Sequence, residues 1–99
     1  MAFVKISEDD MENNQVKVVE ANGKKIALYK VDGEYFATDN DCPHKKGPLG
    51  EGLLSGSTIT CPWHAWQFDV KTGISPVNPD TKIACFKVKV EDGSVFIDL

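Results

Sequence analysis

Apolar and polar residues alternate with a period of two in several short stretches of this chain, and no segment sustains the 3.6-residue apolar repeat of an amphipathic helix. The clearest stretch sets Ala84, Phe86, Val88 and Val90 on one face against Cys85, Lys87 and Lys89 on the other. It predicts a half-buried strand over 84–90 with Phe86, Val88 and Val90 turned inward. Runs rich in β-branched and aromatic residues predict further strands at 3–6, 16–20, 25–31, 35–38, 58–60, 67–69 and 95–97. Between them lie Asn22-Gly23, Asp32-Gly33, Thr72-Gly73 and Asp92-Gly93, pairs that tolerate positive φ and therefore close hairpins. One short helical turn is predicted at Ser7-Glu8-Asp9-Asp10, a serine N-cap with an acid three residues on. The pattern predicts an all-β antiparallel sandwich whose two layers come from hairpins over 16–31 and 86–97.

Ninety-nine residues suit a single domain, 1–99, with one modest core. With 11 basic against 15 acidic side chains the net charge is -4, which disfavours nucleic acid or an anionic membrane surface as a partner and is compatible with a basic protein. No apolar run has signal-peptide or membrane-spanning length, so a soluble, cytoplasmic protein is expected. The odd cysteine count, three, points the same way, toward a reducing compartment.

The chemistry concentrates in two short motifs, Cys42-Pro43-His44 and Cys61-Pro62-Trp63-His64, with sixteen residues between them. Two thiolates and two imidazoles fit a tetrahedral zinc, or a 2Fe-2S cluster in which one iron takes both cysteines and the other both histidines. Structural zinc sites usually place like ligands together on one turn, as C-x2-4-C and H-x3-5-H. Here each half-site is mixed. A dinuclear cluster needs that kind of chelate, because each loop must give its Cys to one iron and its His to the other.

These residues resemble the Rieske-type iron-sulfur proteins, whose motif is C-x-H followed, after a stretch of about this length, by C-x-x-H. The likeness extends beyond the ligands to Lys45-Lys46-Gly47-Pro48-Leu49 and to Ala65-Trp66-Gln67-Phe68-Asp69. It implies one Rieske-type 2Fe-2S cluster per chain, Cys42 and Cys61 on one iron, His44 and His64 on the other. It also implies a Rieske-like sandwich with a small cluster-binding lobe at about 41–66. High-potential respiratory members carry a Ser and a Tyr two and four residues after the second His, and an extra Cys in each loop. The matching positions here are Trp66, Phe68, Gly47 and Trp63. Without those hydroxyl donors and without the disulfide clamp, the chain is similar to the low-potential ferredoxins that serve bacterial ring-hydroxylating oxygenases.

What the resemblance implies is a one-electron carrier that is not itself an enzyme, linking a flavin-dependent ferredoxin reductase to a terminal oxygenase through transient contacts. The resemblance uses both histidines as ligands, there is no glycine-rich nucleotide motif, and no small-molecule substrate is expected. The alternatives are a small subunit of an assimilatory nitrite reductase-type enzyme and a structural zinc module. Pro43, Pro48, Pro62 and Leu49 read as loop scaffold, and Gly47, Gly50 and Gly52 as suppliers of unusual backbone angles. The segment 72–79 resembles the family's third, proline-containing loop, and is equally readable as a long hairpin connection. Trp63 is a candidate docking anchor, Trp66 a core residue, and Cys85 a passive thiol.

Overall fold

A computed structural model describes residues 3–40, 48–62, 66–76 and 81–98. Among them lie the strands β1 (Phe3–Glu8), β2 (Val16–Ala21), β3 (Lys24–Val31), β4 (Glu34–Asp39), β5 (Leu53–Ser55), β6 (Thr58–Thr60), β7 (Gln67–Asp69), β8 (Cys85–Phe86), β9 (Val88–Glu91) and β10 (Ser94–Asp98). A 3₁₀ turn, Leu49–Glu51, stands between β4 and β5. Three antiparallel sheets result: a terminal sheet in the order β1-β10-β9, a middle sheet β2-β3-β4-β8 and a small sheet β5-β6-β7. The all-β expectation holds, and the 16–31 and 86–97 hairpins do supply strands to two separate sheets.

The hairpin turns follow from residue chemistry. Asn22-Gly23, Asp32-Gly33 and Asp92-Gly93 have φ of 52° and 77°, 50° and 83°, and 51° and 75°. Positive φ at both central residues is the type I′ geometry whose twist matches that of the flanking strands. Asn and Asp tolerate it, and Gly meets no steric cost.

The core lies on both faces of β3. Ile26, Ala27, Leu28 and Tyr29 are all fully buried. Ala27, Tyr29 and Val31 face Leu49, Ile59, Cys61, Phe68 and Val70, on and around the small sheet. Ile26 and Leu28 face Val95 and Ile97 of the terminal sheet, with Met11, Tyr35 and Ala37. The molecule therefore has a middle sheet covered on both sides, one layer more than the two-hairpin expectation.

Other local expectations need correction. Ser7 and Glu8 extend β1, paired with Val95 and Ser94, and start no helical turn. A three-strand ladder outcompetes one cap, and the Ser7 hydroxyl donates to the Glu8 carbonyl instead of capping an N–H. The 84–90 strand is broken at Lys87, where the chain crosses sheets: β8 pairs with β4 and β9 with β10. Phe86 and Val88 do pack on the core, but Val90, on the free edge of its sheet, is 46% exposed. The strand β5 was not foreseen, because three residues between Gly52 and Gly56 are too few to show alternation.

Two tyrosines anchor polar contacts inside this frame. The Tyr29 hydroxyl lies 2.7 Å from Thr38 Oγ1, and the Thr38 hydroxyl donates to the Asp39 carbonyl. The Tyr35 hydroxyl donates to Asp9 Oδ1 at 2.8 Å, and the Lys30 ammonium donates to the Met11 carbonyl, tying the 9–15 segment to the β3–β4 hairpin. Burial pushes both phenols upward, Tyr29 strongly; the bond to Asp9 adds to it at Tyr35. An unfolded tyrosine ionises near pH ~10, so the folded state holds these protons longer, and their contribution to stability is present below that pH and lost as pH rises. Chemical denaturation between pH 7 and pH ~11 is expected to show stability falling above pH ~10. Tyr29→Phe should make that fall shallower while costing about 1 kcal/mol at neutral pH for the lost hydroxyl bond.

Candidate metal centre

The second motif begins at the end of a hairpin strand. β6 and β7 are three residues each, and their last pair is Thr60 with Gln67. Past it, the Cys61 N–H donates to the Trp66 carbonyl at 2.6 Å, which closes the segment holding Pro62 to Ala65. Cys61 is 1% exposed and sits in the first core cluster with Leu49, Ile59 and Phe68. Trp66 is half-buried against the same cluster, its ring 6.5 Å from that of Phe68 at an interplanar angle of 29°. The core reading of Trp66 is therefore correct.

The first motif lies between Asn40 and Leu49. The Asn40 carbonyl accepts from the Leu49 N–H and its Oδ1 from the Gly50 N–H, each at 2.8 Å. Asn40 itself is 4% exposed. Pro48 leads into the 3₁₀ turn, where its carbonyl accepts from the Glu51 N–H at 3.0 Å. Leu49 is fully buried beside Cys61, which supports its scaffold reading.

The bases of the two segments meet. Gly52 packs so closely on the Thr60 carbonyl that a Cβ there would collide with it, and a Cβ on Gly50 would collide with the Val18 side chain and come within 2.9 Å of Asn40 Oδ1. Neither glycine has positive φ, and Gly52 is extended at φ -82° and ψ -170°. Glycine is needed at these two positions for space, and the expectation of unusual angles is corrected for both. Of the four donors named from sequence, the structure places Cys61, buried at the junction of both segments. Cys42, His44 and His64 lie outside the described residues, as do Pro43, Gly47 and Trp63.

A sulfur donor at that junction suits a thiolate-binding metal group. Burying a thiolate among Leu49, Ile59 and Phe68 without a compensating cation would be costly, and a metal supplies that charge. The donor chemistry thus fits the implied group, with the mixed Cys and His halves each on one of two segments whose bases are in contact.

Around the third segment, the Gly73 N–H donates to the Asp69 carbonyl at 2.6 Å, the Ser75 N–H to the Thr81 carbonyl and the Ile83 N–H to the Gly73 carbonyl. Its described ends thus form a hairpin-like ladder with a bridge between Ile74 and Lys82, and residues 77–80 lie outside the described set. Cys85 is exposed overall, but partial burial of its thiol and the nearby Asp69 carboxylate push its pKa upward. A thiol held protonated is a poor nucleophile, in line with the passive reading.

Asn40 was not singled out from sequence. Its signal was available: Asp39-Asn40-Asp41 is a run of residues that bond back to nearby backbone, set directly before the first motif.

Comparison with known proteins agrees with this geometry. Residues 2–87 match the family model of the Rieske [2Fe-2S] domain. Over 92 residues the chain is 44% identical to the ferredoxin component of the naphthalene 1,2-dioxygenase/salicylate 5-hydroxylase systems of a Ralstonia species, covering 92% of this chain and 88% of that protein. The solved Sphingomonas yanoikuyae B1 ferredoxin superposes with a TM-score of 0.88 at 32% identity, covering 99% of both chains. A chain from the complex of reduced oxygenase and oxidized ferredoxin in carbazole 1,9a-dioxygenase does so with a TM-score of 0.88 at 33% identity, over 96% of this chain and 91% of that one.

The contact between Gly52 and Thr60 gives a direct test. Gly52→Ala must displace backbone, and is expected to lower stability by about 1–3 kcal/mol. Gly33→Asn, at a left-handed position with nothing within 4 Å of a Cβ, should cost less. Urea denaturation of the two variants beside the wild type checks the order.

Proposed function

We propose, since this chain belongs to the Rieske [2Fe-2S] domain family, that it carries single electrons from a flavin-dependent reductase to the terminal oxygenase of a ring-hydroxylating system. The observation that carries this reading is the likeness to a dioxygenase ferredoxin component along nearly the whole of both chains. The protein is an electron-transfer component and not a catalyst. Its cofactor is a Rieske-type 2Fe-2S cluster. When bound, such a group supplies reversible one-electron chemistry at roughly -150 to +300 mV.

The residues divide the remaining work. In our reading Cys42 and Cys61 hold one iron and His44 and His64 the other, within one domain whose binding lobe spans about 41–66. Supporting it, Cys61 is buried where the two segments meet, so that water is excluded from its sulfur. Phe68, four residues after His64, is fully buried and presents only carbon, so no hydroxyl from that position reaches a sulfur. Missing donors leave the more negative reduced state less stabilised, which lowers the potential. A cytoplasmic location belongs to the same reading; no helix among the described residues is long and apolar enough to cross a membrane.

Purified protein should contain iron and acid-labile sulfide, give a paramagnetic signal after dithionite reduction, and be reduced by a flavin reductase and reoxidised by a cognate oxygenase. Colourless protein containing zinc and no sulfide would overturn the reading. Protein-film voltammetry is expected to place the midpoint in the lower half of that range, and a value above roughly +100 mV would contradict this. Phe68→Tyr, which restores a hydroxyl, should raise it.

A further inference from the structure

We propose that Asn40 is a positioning residue for the first ligand segment, one side chain and one carbonyl that together fix where the Cys42-His44 stretch departs from and rejoins the fold. The inference rests on the ligand assignment above.

The chain between Asn40 and Leu49 begins and ends on the same residue. The Asn40 carbonyl takes the Leu49 N–H and its Oδ1 takes the Gly50 N–H, both at 2.8 Å. Two acceptors on one rigid residue define a direction as well as a distance, so the returning strand cannot pivot about a single bond. Asn40 is anchored in turn: its own N–H donates to the Lys25 carbonyl at 3.4 Å, it follows the β4 ladder directly, and it is 4% exposed.

Gly50 shows that the arrangement is built around this contact. The space where its Cβ would stand is taken by Val18 and by Asn40 Oδ1 itself. The Gly50 N–H reaches its acceptor because no side chain intervenes, and the preceding residue, Leu49, is buried in the cluster that holds Cys61. Asn40 thereby transmits the position of the middle sheet to the first donor pair, while the Cys61 N–H bond to Trp66 ties the ends of the second segment to the small sheet.

Asn40→Leu keeps the approximate volume and removes the acceptor; Asn40→Asp keeps an acceptor oxygen. Tyr35→Phe, in the second core cluster, serves as a control for general destabilisation. Outer groups that orient ligands typically contribute about 10- to 100-fold in metal affinity. Cluster loss to a chelator, followed by visible absorbance, should therefore accelerate by about 10-fold or more in Asn40→Leu, with an altered visible circular dichroism spectrum. Asn40→Asp should stay near the wild-type rate, and Tyr35→Phe should leave rate and spectrum unchanged. Hydrogen exchange of the cluster-loaded wild type is the second measurement: the Leu49 and Gly50 amides should be strongly protected. A folded Asn40→Leu protein with the wild-type loss rate and spectrum, or Leu49 and Gly50 amides exchanging like exposed ones, overturns the proposal. Wild-type protein that binds neither iron nor sulfide overturns the ligand assignment as well.

Discussion

The structure depends on one strand being buried on both sides. In β3 the consecutive residues Ile26, Ala27, Leu28 and Tyr29 are all fully buried, so every side chain of that run has an apolar partner layer. Side chains alternate across a strand, and the two halves of the run therefore address different sheets. Ala27 and Tyr29 hold the small sheet that bears Cys61; Ile26 and Leu28 hold the terminal sheet. A fully buried Leu or Ile contributes about 1.5–3 kcal/mol, and no other strand serves both clusters to this extent. A polar residue at 26 or 28 would loosen the terminal sheet, whereas one at 27 or 29 would release the site from its support.

That division explains how so small a sheet can hold Cys61, the proposed ligand, in place. Three strands of three residues each would be marginal alone. Leu49, Ile59, Phe68 and Val70 dock them onto β3, and Cys61 belongs to the same cluster as its docking residues. The Cys61 sulfur, which we propose as a donor, is part of the core. On the proposed ligand assignment, loss of the first cluster's packing would displace a ligand, which would link folding to metal retention at this end of the molecule.

How much of this could be read from the sequence varied with the range of the interaction involved. The hairpins were legible because Asn22-Gly23, Asp32-Gly33 and Asp92-Gly93 encode their backbone angles locally. The two motifs stood out because a Cys-Pro pair followed closely by a His occurs twice, at 42–44 and 61–64; the ligand set they suggest is our proposal, of which the structure describes Cys61. The crossing at Lys87 was not, since Phe86 and Val88 point into the same core cluster and the alternation runs unbroken through a change of sheet. Ser7 and Glu8 carried a genuine capping signal that the pairing with β10 overrode. Gly50 and Gly52 were recognised as special for the wrong physical reason, because a steric neighbour distant in sequence, Val18 or Thr60, leaves no local mark.

Thr60 links the described ends of the two segments that carry the motifs. It pairs with Leu53 on one side and Gln67 on the other, so β6 is the shared rod between the return of the first segment and the whole of the second. Its carbonyl is where Gly52 makes its close approach, and its hydroxyl accepts a 3.4 Å contact from the Gln67 amide. The next residue is Cys61. β6 thus meets the exit of the first segment through Gly52 and leads into the second at Cys61, while Asn40 ties the same exit to the middle sheet.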